Sequence, residues 1–401
     1  MARIYSLNHM DKRIIVIAVF FILISCSSYT RQNNTSADID DSNVNTIKPL
    51  SSFEKQLTVN NFISNINYIV PRIDKLIKID NLIVEDDRIF LIDDSLNYEV
   101  YCINFDGKHL YTISNYGGAE NEYYNISNVI VDNNIIEIFD IQRQKKLVFD
   151  IINGKWIRST SFEYDNDIKD LEKFKDRYFI YHANTSFGQS KSFNYHVVDS
   201  NFTTIDKYLE INENLKNYTF DVKSSVYKHD KSIYFKELFN DTIYKLDQNG
   251  KISSFLYVDF QDRALPSNIK YNSKNTDIGP YITKYTFKGD YIFGIRKMVI
   301  NDDLFFLDYF DKNKLNHLYY NYQTNKSISY RYLKINDNHK LIGSPEYSFK
   351  DSFVSVIDVE KVLAFKNQKE YSELVETLLM QYPNYNIKSN PVIVTYKVNL
   401  K

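Results

Sequence analysis

The sequence predicts an all-β fold: a six-bladed β-propeller that is closed by strands from the two ends of the chain and carries one C-terminal helix. The 34 tyrosines and 27 phenylalanines accompany many isoleucines, and aromatic and β-branched side chains favour pleated sheets. A unit of a polar turn followed by an apolar run recurs along the chain. Near the C-terminus one strand-like run has no partner in its own unit, and another such run precedes the first unit.

The recurring unit gives the number of blades. Its first half reads "DDRIFLID" or "DNNIIEIFD", and its second half is a hairpin such as "VYCINFDGKHLYTI". One marker per unit gives intervals of 46, 43, 54, 72 and 48 residues, the markers being Arg88, Asn134, Arg177, Lys231, Asp303 and Asp351. Four strands per repeat and a period of roughly 40 to 50 residues indicate a propeller, because one blade cannot bury both of its faces alone.

The sixth unit lacks the second hairpin of the others, and this predicts how the ring closes. The run "NPVIVTYKV" (Asn390 to Val398) reads as a strand, and "ISNINYIVP" (Ile63 to Pro71) precedes the first blade. We expect these two segments to pair in blade 6, because the pairing would hide both edges. Before the last strand, Asn367 and Glu370 form a capping box ahead of an apolar helix face that Pro383 ends.

Residues 1–25 are predicted to be a signal peptide for lipid attachment. Lys12 and Arg13 precede an uninterrupted apolar run of about 11 residues, which is too short to span a bilayer and fits a signal-peptide core. The sequence "LISC" resembles a bacterial lipobox, in which the cysteine, here Cys26, is lipidated and becomes the first residue. An ordinary secretory peptide or an uncut anchor is the alternative. Translation starts at Met1 or at Met10, which opens a shorter signal.

Residues 26–50 are predicted to be a flexible tether, and residues 51–401 the propeller. The tether is polar and has few large apolar side chains, so it cannot build a core. Acyl chains on Cys26 would hold the protein at a membrane without spanning it, since each buried CH₂ contributes about 0.8 kcal/mol.

Composition excludes several function classes. The 49 lysines and arginines stand against 51 aspartates and glutamates, for a net charge of −2; both signs are interspersed, so nothing recruits nucleic acid. Beyond Cys26 the only cysteine is Cys102, so no disulfide framework is expected. The sequence has no nucleophile elbow, no phosphate-binding glycine loop and no His-Glu-x-x-His motif. No cofactor is therefore expected.

The order of several motifs resembles a known family. The motifs "DDRIFLID", "NYGGAENEYYNIS" (Asn115 to Ser127), "ELFNDTIYKLD", "YVDF" and "NPVIVTYKV" are similar to those of the six-bladed β-propeller lipoproteins of Bacteroidetes, which are related to NHL-repeat propellers. The resemblance covers roughly residues 53–401. It implies the fold and an envelope location, and no established catalytic activity comes with it. Acidic runs after the lipidated cysteine resemble surface-export signals in such lipoproteins; Ser27 to Arg31 contains none, which favours the periplasmic face, with the outer membrane as the expected membrane.

The loops that enter the innermost strands of a propeller surround a central mouth, where polar and aromatic groups converge on ligands. Blade register places eight candidate ligand-binding residues in these loops: Glu120, Glu122 and Tyr123 before blade 2, Tyr218 and Asp221 before blade 4, Arg296 in blade 5, and Glu346 and Tyr347 in blade 6. Aromatic rings beside acids suit a glycan. A peptide or a partner protein fits equally well.

The first function hypothesis is a lipid-anchored binding or scaffolding protein, a monomeric propeller that holds a glycan, peptide or envelope protein at its mouth. The alternative is a metal-dependent hydrolase or lactonase-like enzyme with ligands from several blades. A structural subunit of a larger membrane complex is a third possibility. The histidines at positions 109, 182, 196, 229, 317 and 339 are scattered, so no metal ligands are assigned.

Overall fold

The structure is a computed structural model, and it describes residues 39–49, 57–58, 62–185, 192–216, 225–237, 239–271, 284–286, 288–312, 314–330, 333–334, 342–366, 372–383, 385–386 and 388–400. The predicted signal peptide, Cys26 and the first part of the predicted tether lie outside the described residues. Within the described ranges, no helix is both long and apolar enough to cross a bilayer.

The first three blades are antiparallel sheets of four strands that are consecutive in the chain. Before them come β1 (Asn45–Ile47), β2 (Leu57–Thr58) and β3 (Ile63–Ile69). Blade 1 contains β4 (Asn81–Glu85), β5 (Arg88–Asp93), β6 (Glu99–Asn104) and β7 (His109–Ile113). Blade 2 contains β8 (Asn128–Asp132), β9 (Ile135–Asp140), β10 (Lys145–Asp150) and β11 (Trp156–Ser161). Blade 3 contains β12 (Asp170–Phe174), β13 (Arg177–Tyr181), β14 (Phe193–Val198) and β15 (Thr204–Glu210).

Blades 4 to 6 repeat the pattern with additions at their edges. Blade 4 contains β16 (Val226–His229), β17 (Ser232–Lys236), β18 (Thr242–Leu246) and β19 (Ile252–Val258). Blade 5 contains β20 (Lys297–Ile300), β21 (Leu304–Asp311), β22 (Lys314–Asn321) and β23 (Lys326–Tyr330), and β24 (Leu333–Lys334) follows it. Blade 6 contains β25 (Tyr347–Phe349), β26 (Ser352–Ile357), β27 (Val392–Val398) and β3. The predicted count of six blades is confirmed.

The hydrophobic core lies between the blades. Five clusters of buried side chains join blade 1 to 2, blade 2 to 3, blade 3 to 4, blades 4, 5 and 6 together, and blade 6 to 1. Each blade therefore covers the faces of its neighbours. The first strand of every blade is innermost, and each innermost strand contacts the next around the ring until the last contacts the first.

Blade 6 closes the ring as the sequence predicts. Strand β27 pairs antiparallel with β26 on one side and with β3 on the other. Asn390, at the start of β27, is 5% exposed; its amide donates to the carbonyls of Pro71 and Ile73 at 3.2 and 3.1 Å. Its side-chain oxygen accepts from the backbone N–H of Ile77 at 3.0 Å. One amide thus joins the two ends of the chain.

The region before β27 contains one helix more than the sequence predicts. Helices α1 (Ser267–Lys270), α2 (Val359–Lys366) and α3 (Ser372–Gln381) accompany the short 3₁₀ turns Ile141–Arg143 and Gln261–Arg263. The predicted helix corresponds to α3, and its predicted capping box lies outside the described residues. Helix α2 was missed because its start, at Val359, directly continues the apolar pattern of β26. Val359 and Val362 are buried in the cluster shared by blades 4 to 6.

The end of the segment that the sequence predicts as a tether is part of blade 4. Strand β1 pairs parallel with the outer strand β19. Just before it, Asp40 bridges to Ser253 and pairs with Lys251 at 2.6 Å between Oδ2 and Nζ. The chain therefore runs along the outer edge of blade 4 from Asp40 to Ile47, and this covers an otherwise open sheet edge.

Turns between the innermost and second strands use polar residues in the left-handed conformation where many proteins use glycine. Asp86, Asn133, Asn134, Asp230 and Lys350 have φ between 49° and 67°. Asparagine and aspartate tolerate this conformation better than other non-glycine residues. A chain with only 10 glycines can therefore still form tight turns on this face.

Candidate functional site

A central channel with a volume of about 580 Å³ runs between the innermost strands. Strands β4, β8, β12, β16 and β25 line it, together with the loops at their ends. We call the end at which these strands begin the upper end and the end at which they turn into the second strands the lower end. Among the described strands, the edge of each innermost strand that faces the channel has no ladder partner, so backbone N–H and C=O groups along it can bond to side chains, water or a ligand.

The side chains that line the channel are mainly acidic. Among the described residues of the lining, eight carboxyl groups stand against three lysines: Asp80, Glu85, Asp94, Asp132, Asp170, Glu172, Asp230 and Glu346 against Lys169, Lys228 and Lys350. Since the whole chain has a net charge of only −2, the excess is a local property of the channel. A cleft lined by one sign of charge concentrates ions of the opposite sign.

Strand β12 contributes two of these carboxyl groups. Side chains alternate between the two faces of a strand, so Asp170, Glu172 and Phe174 share one face. Phe174 packs in the cluster between blades 3 and 4, so this face is turned toward blade 4. The two carboxyl groups therefore lie where β12 and β16 approach each other at the channel.

Burial keeps one of these groups uncharged at neutral pH. Loss of hydration and, second, the charge of Asp170 raise the pKa of the Glu172 carboxyl to about 8, while Lys228 opposes the shift. Burial also raises the pKa of Asp170, to about 6, against backbone N–H groups that favour its charged form. One of them, the N–H of Val226, donates to Asp170 Oδ2 at 3.3 Å.

The lower end of the channel holds both paired and unpaired carboxylates. Asp132 takes ion pairs from Lys228 Nζ at 3.1 Å and from Lys173 Nζ at 3.5 Å. Within the described part of the chain, no lysine or arginine forms an ion pair with Glu85 or Glu172. Burial raises the pKa of Glu85, and the charge of the adjacent Asp86 adds to this shift.

Two tyrosines form an aromatic wall in the channel. Tyr227 of β16 and Tyr347 of β25 have ring centroids 6.0 Å apart, at an interplanar angle of 45°. The hydroxyl groups of Tyr227 and Ser348 are hydrogen bonded at 2.9 Å. Burial raises the pKa of both phenols well above the ordinary value, so they remain neutral.

At the upper end, two of the predicted residues form ion pairs with neighbours. Glu346 pairs with Lys297 Nζ at 2.5 Å. The guanidinium of Arg296 pairs with the carboxylate of Asp308, and Arg296 is not part of the lining. Behind this end, Lys236 is fully buried, its Nζ has no hydrogen-bond partner within the described residues, and burial lowers the pKa of its amine to about 7.

The loop before blade 2 lies over that blade and not in the channel. Glu122 accepts a hydrogen bond from the N–H of Ala119 at 2.7 Å, and the carbonyl of Glu120 accepts one from Ser159 at 2.6 Å. Lys145 of β10 donates to the carbonyls of Ala119 and Glu122 at 2.9 Å. These contacts draw the loop outward over β10 and β11, so Glu120 and Glu122 do not line the channel.

The other predicted residues divide into three groups. Tyr123 is completely buried between blades 1 and 2, where its hydroxyl donates to the carbonyls of Tyr98 and Ile113, so it offers no surface to a ligand. Tyr218 and Asp221 lie outside the described residues. Glu346 and Tyr347 line the channel as expected.

Reasoning from sequence missed Glu85, Asp132, Asp170, Glu172 and Lys228, because it considered the loops that enter the innermost strands and not the strands themselves. The available signal was a charged residue inside or at the end of a short innermost run, as in "NLIVE", "NVIVD" and "DLEKF". Only the ring brings these separate runs together.

A metal site was the basis of the alternative function. Among the residues that the structure describes, no group of three or more histidine, cysteine, aspartate or glutamate side chains has the geometry to hold a metal ion. The carboxyl groups of the channel are instead distributed along its walls.

The fold and the site define a class: a six-bladed β-propeller with an acidic central channel. The chain belongs to a family of domains of unknown function, DUF4934, whose model matches residues 44–397. A search of curated proteins found no match.

Comparison with solved structures supports the fold. A protein of Bacteroides fragilis, provisionally described as exported, has 18% sequence identity and a TM-score of 0.71 over 89% of this chain and 100% of that chain. BamB from Moraxella catarrhalis has 8% identity and a TM-score of 0.28, over 72% of this chain and 66% of that one. Hsv2 from Kluyveromyces lactis has 8% identity and a TM-score of 0.32, over 61% and 60%. The first comparison supports the fold, and the other two carry no argument.

Proposed function

We infer that this protein is an exported, lipid-anchored binding protein of the cell envelope, with its ligand site in the central channel. The observation that carries the proposal is the preformed channel of about 580 Å³, in which carboxyl groups outnumber lysines. Buried charges without partners destabilise a fold, so a channel that keeps them is better explained by a ligand than by packing. The solved propeller from Bacteroides fragilis, provisionally described as exported, supports the location.

Blocking the channel tests the binding site. Asn81 lies at the upper end of β4, lines the channel and is exposed, so Asn81→Trp would narrow the entrance without entering the core. The matched control is Asn201→Trp, at an exposed hairpin turn between β14 and β15. Both variants and the wild type, as the full chain purified in detergent, are screened by thermal shift against envelope oligosaccharides, peptides and aliphatic amines.

We expect at least one compound to raise the melting temperature of the wild type and of Asn201→Trp, but not of Asn81→Trp. A screen in which every stabilising compound acts equally on all three proteins would place the ligand site elsewhere and overturn the proposal.

The anchor is tested separately through Cys26. The proposed lipidation predicts that the wild type incorporates an alkyne-labelled fatty acid in growing cells and sediments with membranes. Replacing Cys26 with serine removes the thiol that would carry the lipid. The Cys26→Ser variant is expected to lose both the label and the sedimentation, whereas a variant that still sediments fully would indicate an uncut anchor.

A further inference from the structure

The chemistry of the channel indicates what kind of ligand it holds. We propose that the channel binds an extended aliphatic chain with primary ammonium groups, through the carboxyl groups of Glu85 and Glu172. A free polyamine and the lysine side chains of a peptide both present this chemistry. The inference rests on the proposed function, that the channel is the ligand site, and adds the identity of the recognised group.

The shape of the channel suits a thin, extended ligand. Strand β4 has five residues, which at about 3.3 Å per residue gives a length of roughly 16 Å. A volume of about 580 Å³ that the centres of water molecules can occupy, spread over that length, corresponds to a passage roughly 10 Å across between its walls. An extended aliphatic chain fits such a channel, whereas a folded domain does not.

The carboxyl groups of the channel are not all neutralised by lysines of the protein, so a cation from solution can bind there. Lys228 and Lys173 both pair with Asp132, and Glu85 and Glu172 are left without an ion pair in the described part of the chain. A carboxylate that is removed from water is costly unless a cation compensates it. An ammonium group that enters the channel supplies this compensation and forms charge-assisted hydrogen bonds.

The placement of the carboxyl groups favours several small charges over one compact ion. Glu85 and Glu172 come from β4 and β12, which belong to two different blades. A chain with spaced ammonium groups can meet such distributed carboxylates one at a time, while a single metal ion needs its ligands to converge.

The aromatic wall supports the same class of ligand. Tyr227 and Tyr347 line the channel together with these carboxyl groups, and both are close enough to Glu172 for its charge to raise the pKa of their phenols, after the larger effect of burial. Faces of tyrosine rings attract ammonium groups. Two neutral rings beside a carboxyl group therefore form a suitable subsite for one ammonium group and its methylene chain.

Binding of a cation is expected to release a proton. The groups that face Glu172 are Asp170 on its own strand, Asp132 on β8, Lys228 and Tyr227 on β16, and Tyr347 on β25. Because Glu172 has a pKa of about 8 in the empty channel, it is mostly protonated at pH 7, and a nearby ammonium group favours the charged form. Affinity should therefore rise with pH between 6 and 8, by up to about tenfold per pH unit for one linked proton.

Isothermal titration calorimetry of spermidine into the full chain in detergent tests the proposal. The proteins are the wild type, Glu172→Gln, and the matched control Glu163→Gln, whose side chain is exposed and outside the channel. We expect spermidine to bind the wild type and Glu163→Gln alike, and to bind Glu172→Gln about tenfold more weakly at pH 8, the loss of one charged contact. The rise of affinity with pH should disappear in Glu172→Gln.

Further arms distinguish the sources of the ammonium groups. A blocked trilysine peptide replaces spermidine in one titration, fully acetylated spermidine in a second and calcium chloride in a third. Preference for spermidine indicates a free polyamine, and preference for trilysine indicates a peptide; acetylated spermidine should not bind. Equal binding of the acetylated form, or tight binding of calcium without any binding of the amines, would overturn the proposal.

The outcome separates this inference from the proposed function. A neutral oligosaccharide that stabilises the wild type but not Asn81→Trp, with no binding of amines, would keep the channel as the site and reject the ammonium ligand. Amine binding that Asn81→Trp leaves unchanged would reject both, because it would lie outside the channel. Circular dichroism and the variant Glu172→Asp, which keeps a carboxyl group and should retain part of the affinity, show that a loss does not come from misfolding.

Discussion

Two regions differ in how their polar groups are bonded: the seam of blade 6, where β27 pairs with β3, and the central channel. At the seam, both N–H groups of the Asn390 amide donate, to Pro71 and Ile73, and its oxygen accepts a hydrogen bond from Ile77. In the channel, Glu85 and Glu172 are partly withdrawn from water and have no ion pair in the described residues. A satisfied polar network stabilises a unique arrangement, whereas an unsatisfied one reduces stability. The seam therefore contributes to stability, and the channel reduces it, as the binding role that we propose for the channel would require.

The largest expected effect comes from breaking the seam. Asn390→Ala would leave the N–H of Ile77 and the carbonyls of Pro71 and Ile73 buried without partners, at about 1 kcal/mol or more each. We expect the free energy of unfolding in urea to fall by about 3 kcal/mol or more.

The control for this prediction lies at the other end of the same seam. Asn399 is exposed, and its amide donates one hydrogen bond to Ser64 Oγ at 2.8 Å, so Asn399→Ala should change the free energy of unfolding by less than about 1 kcal/mol. Equal losses in the two variants would contradict the role given to Asn390.

In the channel, Glu172→Gln should have the opposite effect to Asn390→Ala: it should raise the free energy of unfolding, by an amount that depends on pH. Glu172 has a folded pKa of about 8, against an ordinary value near 4.3 in an unfolded chain. Between these values the unfolded chain has released a proton that the folded chain keeps, so stability of the wild type falls as pH rises, by up to about 1.4 kcal/mol per pH unit. Glu172→Gln should lack this decline.

Urea denaturation at pH 5, 6.5 and 8 measures the difference. The stability of Glu172→Gln relative to the wild type should increase from pH 5 to pH 8, and the exposed Glu163→Gln should follow the wild type at every pH. A constant difference across this range would mean that Glu172 ionises normally.

Lys236, behind the upper end of the channel, should give a smaller effect with the opposite pH dependence. Its folded pKa is about 7 and its unfolded pKa about 10.4, so the unfolded chain binds the extra proton between these values and wild-type stability rises with pH. Lys236→Met removes a buried amine without a hydrogen-bond partner in the described residues, and we expect it to stabilise the protein at pH 7 by about 2 kcal/mol.

The measurement for Lys236 is again a pH series, from 7 to 9.5. The advantage of Lys236→Met should shrink as pH rises, while the exposed Lys231→Met should show no trend. An advantage that grows with pH would show that the amine is charged and paired in the fold.

The smallest effect is expected at the outer edge of blade 4. Lys251 and Asp40 form an ion pair at 2.6 Å, but their side chains are 62% and 34% exposed. Exposed pairs contribute little because water and salt screen them. Lys251→Ala should therefore leave the melting temperature unchanged within error, and a drop of several degrees would show that β1 is more important to the fold than its exposure indicates.

The sequence was sufficient to predict the ring because its evidence is local and repeated. Each blade contains the same pattern of a polar turn followed by an apolar run. The missing hairpin of the sixth unit predicts the pairing of Ile63–Ile69 with Val392–Val398. Helix α2 is not predicted from the sequence, because Val359 and Val362 extend the apolar pattern of the preceding strand. The change from the strand period to the helix period is therefore not visible.

The channel was harder to predict because its residues are far apart in the chain. Asp132 and Glu172 look like solvated charges at the end or in the middle of short strands. They meet only because the ring brings β8 and β12 side by side, and burial, which sets the pKa of Glu172, is a property of that arrangement. Conversely, the loop with Glu120 and Glu122 had the composition of a binding loop, but Lys145 holds it away from the channel.

A crystal structure of the protein with spermidine tests the central claim most directly. The account predicts continuous density for the amine inside the channel, with ammonium groups next to Glu172 and Glu85 and methylene groups against Tyr227 and Tyr347. Density on the outer surface of the propeller, with the channel holding only water, would contradict it.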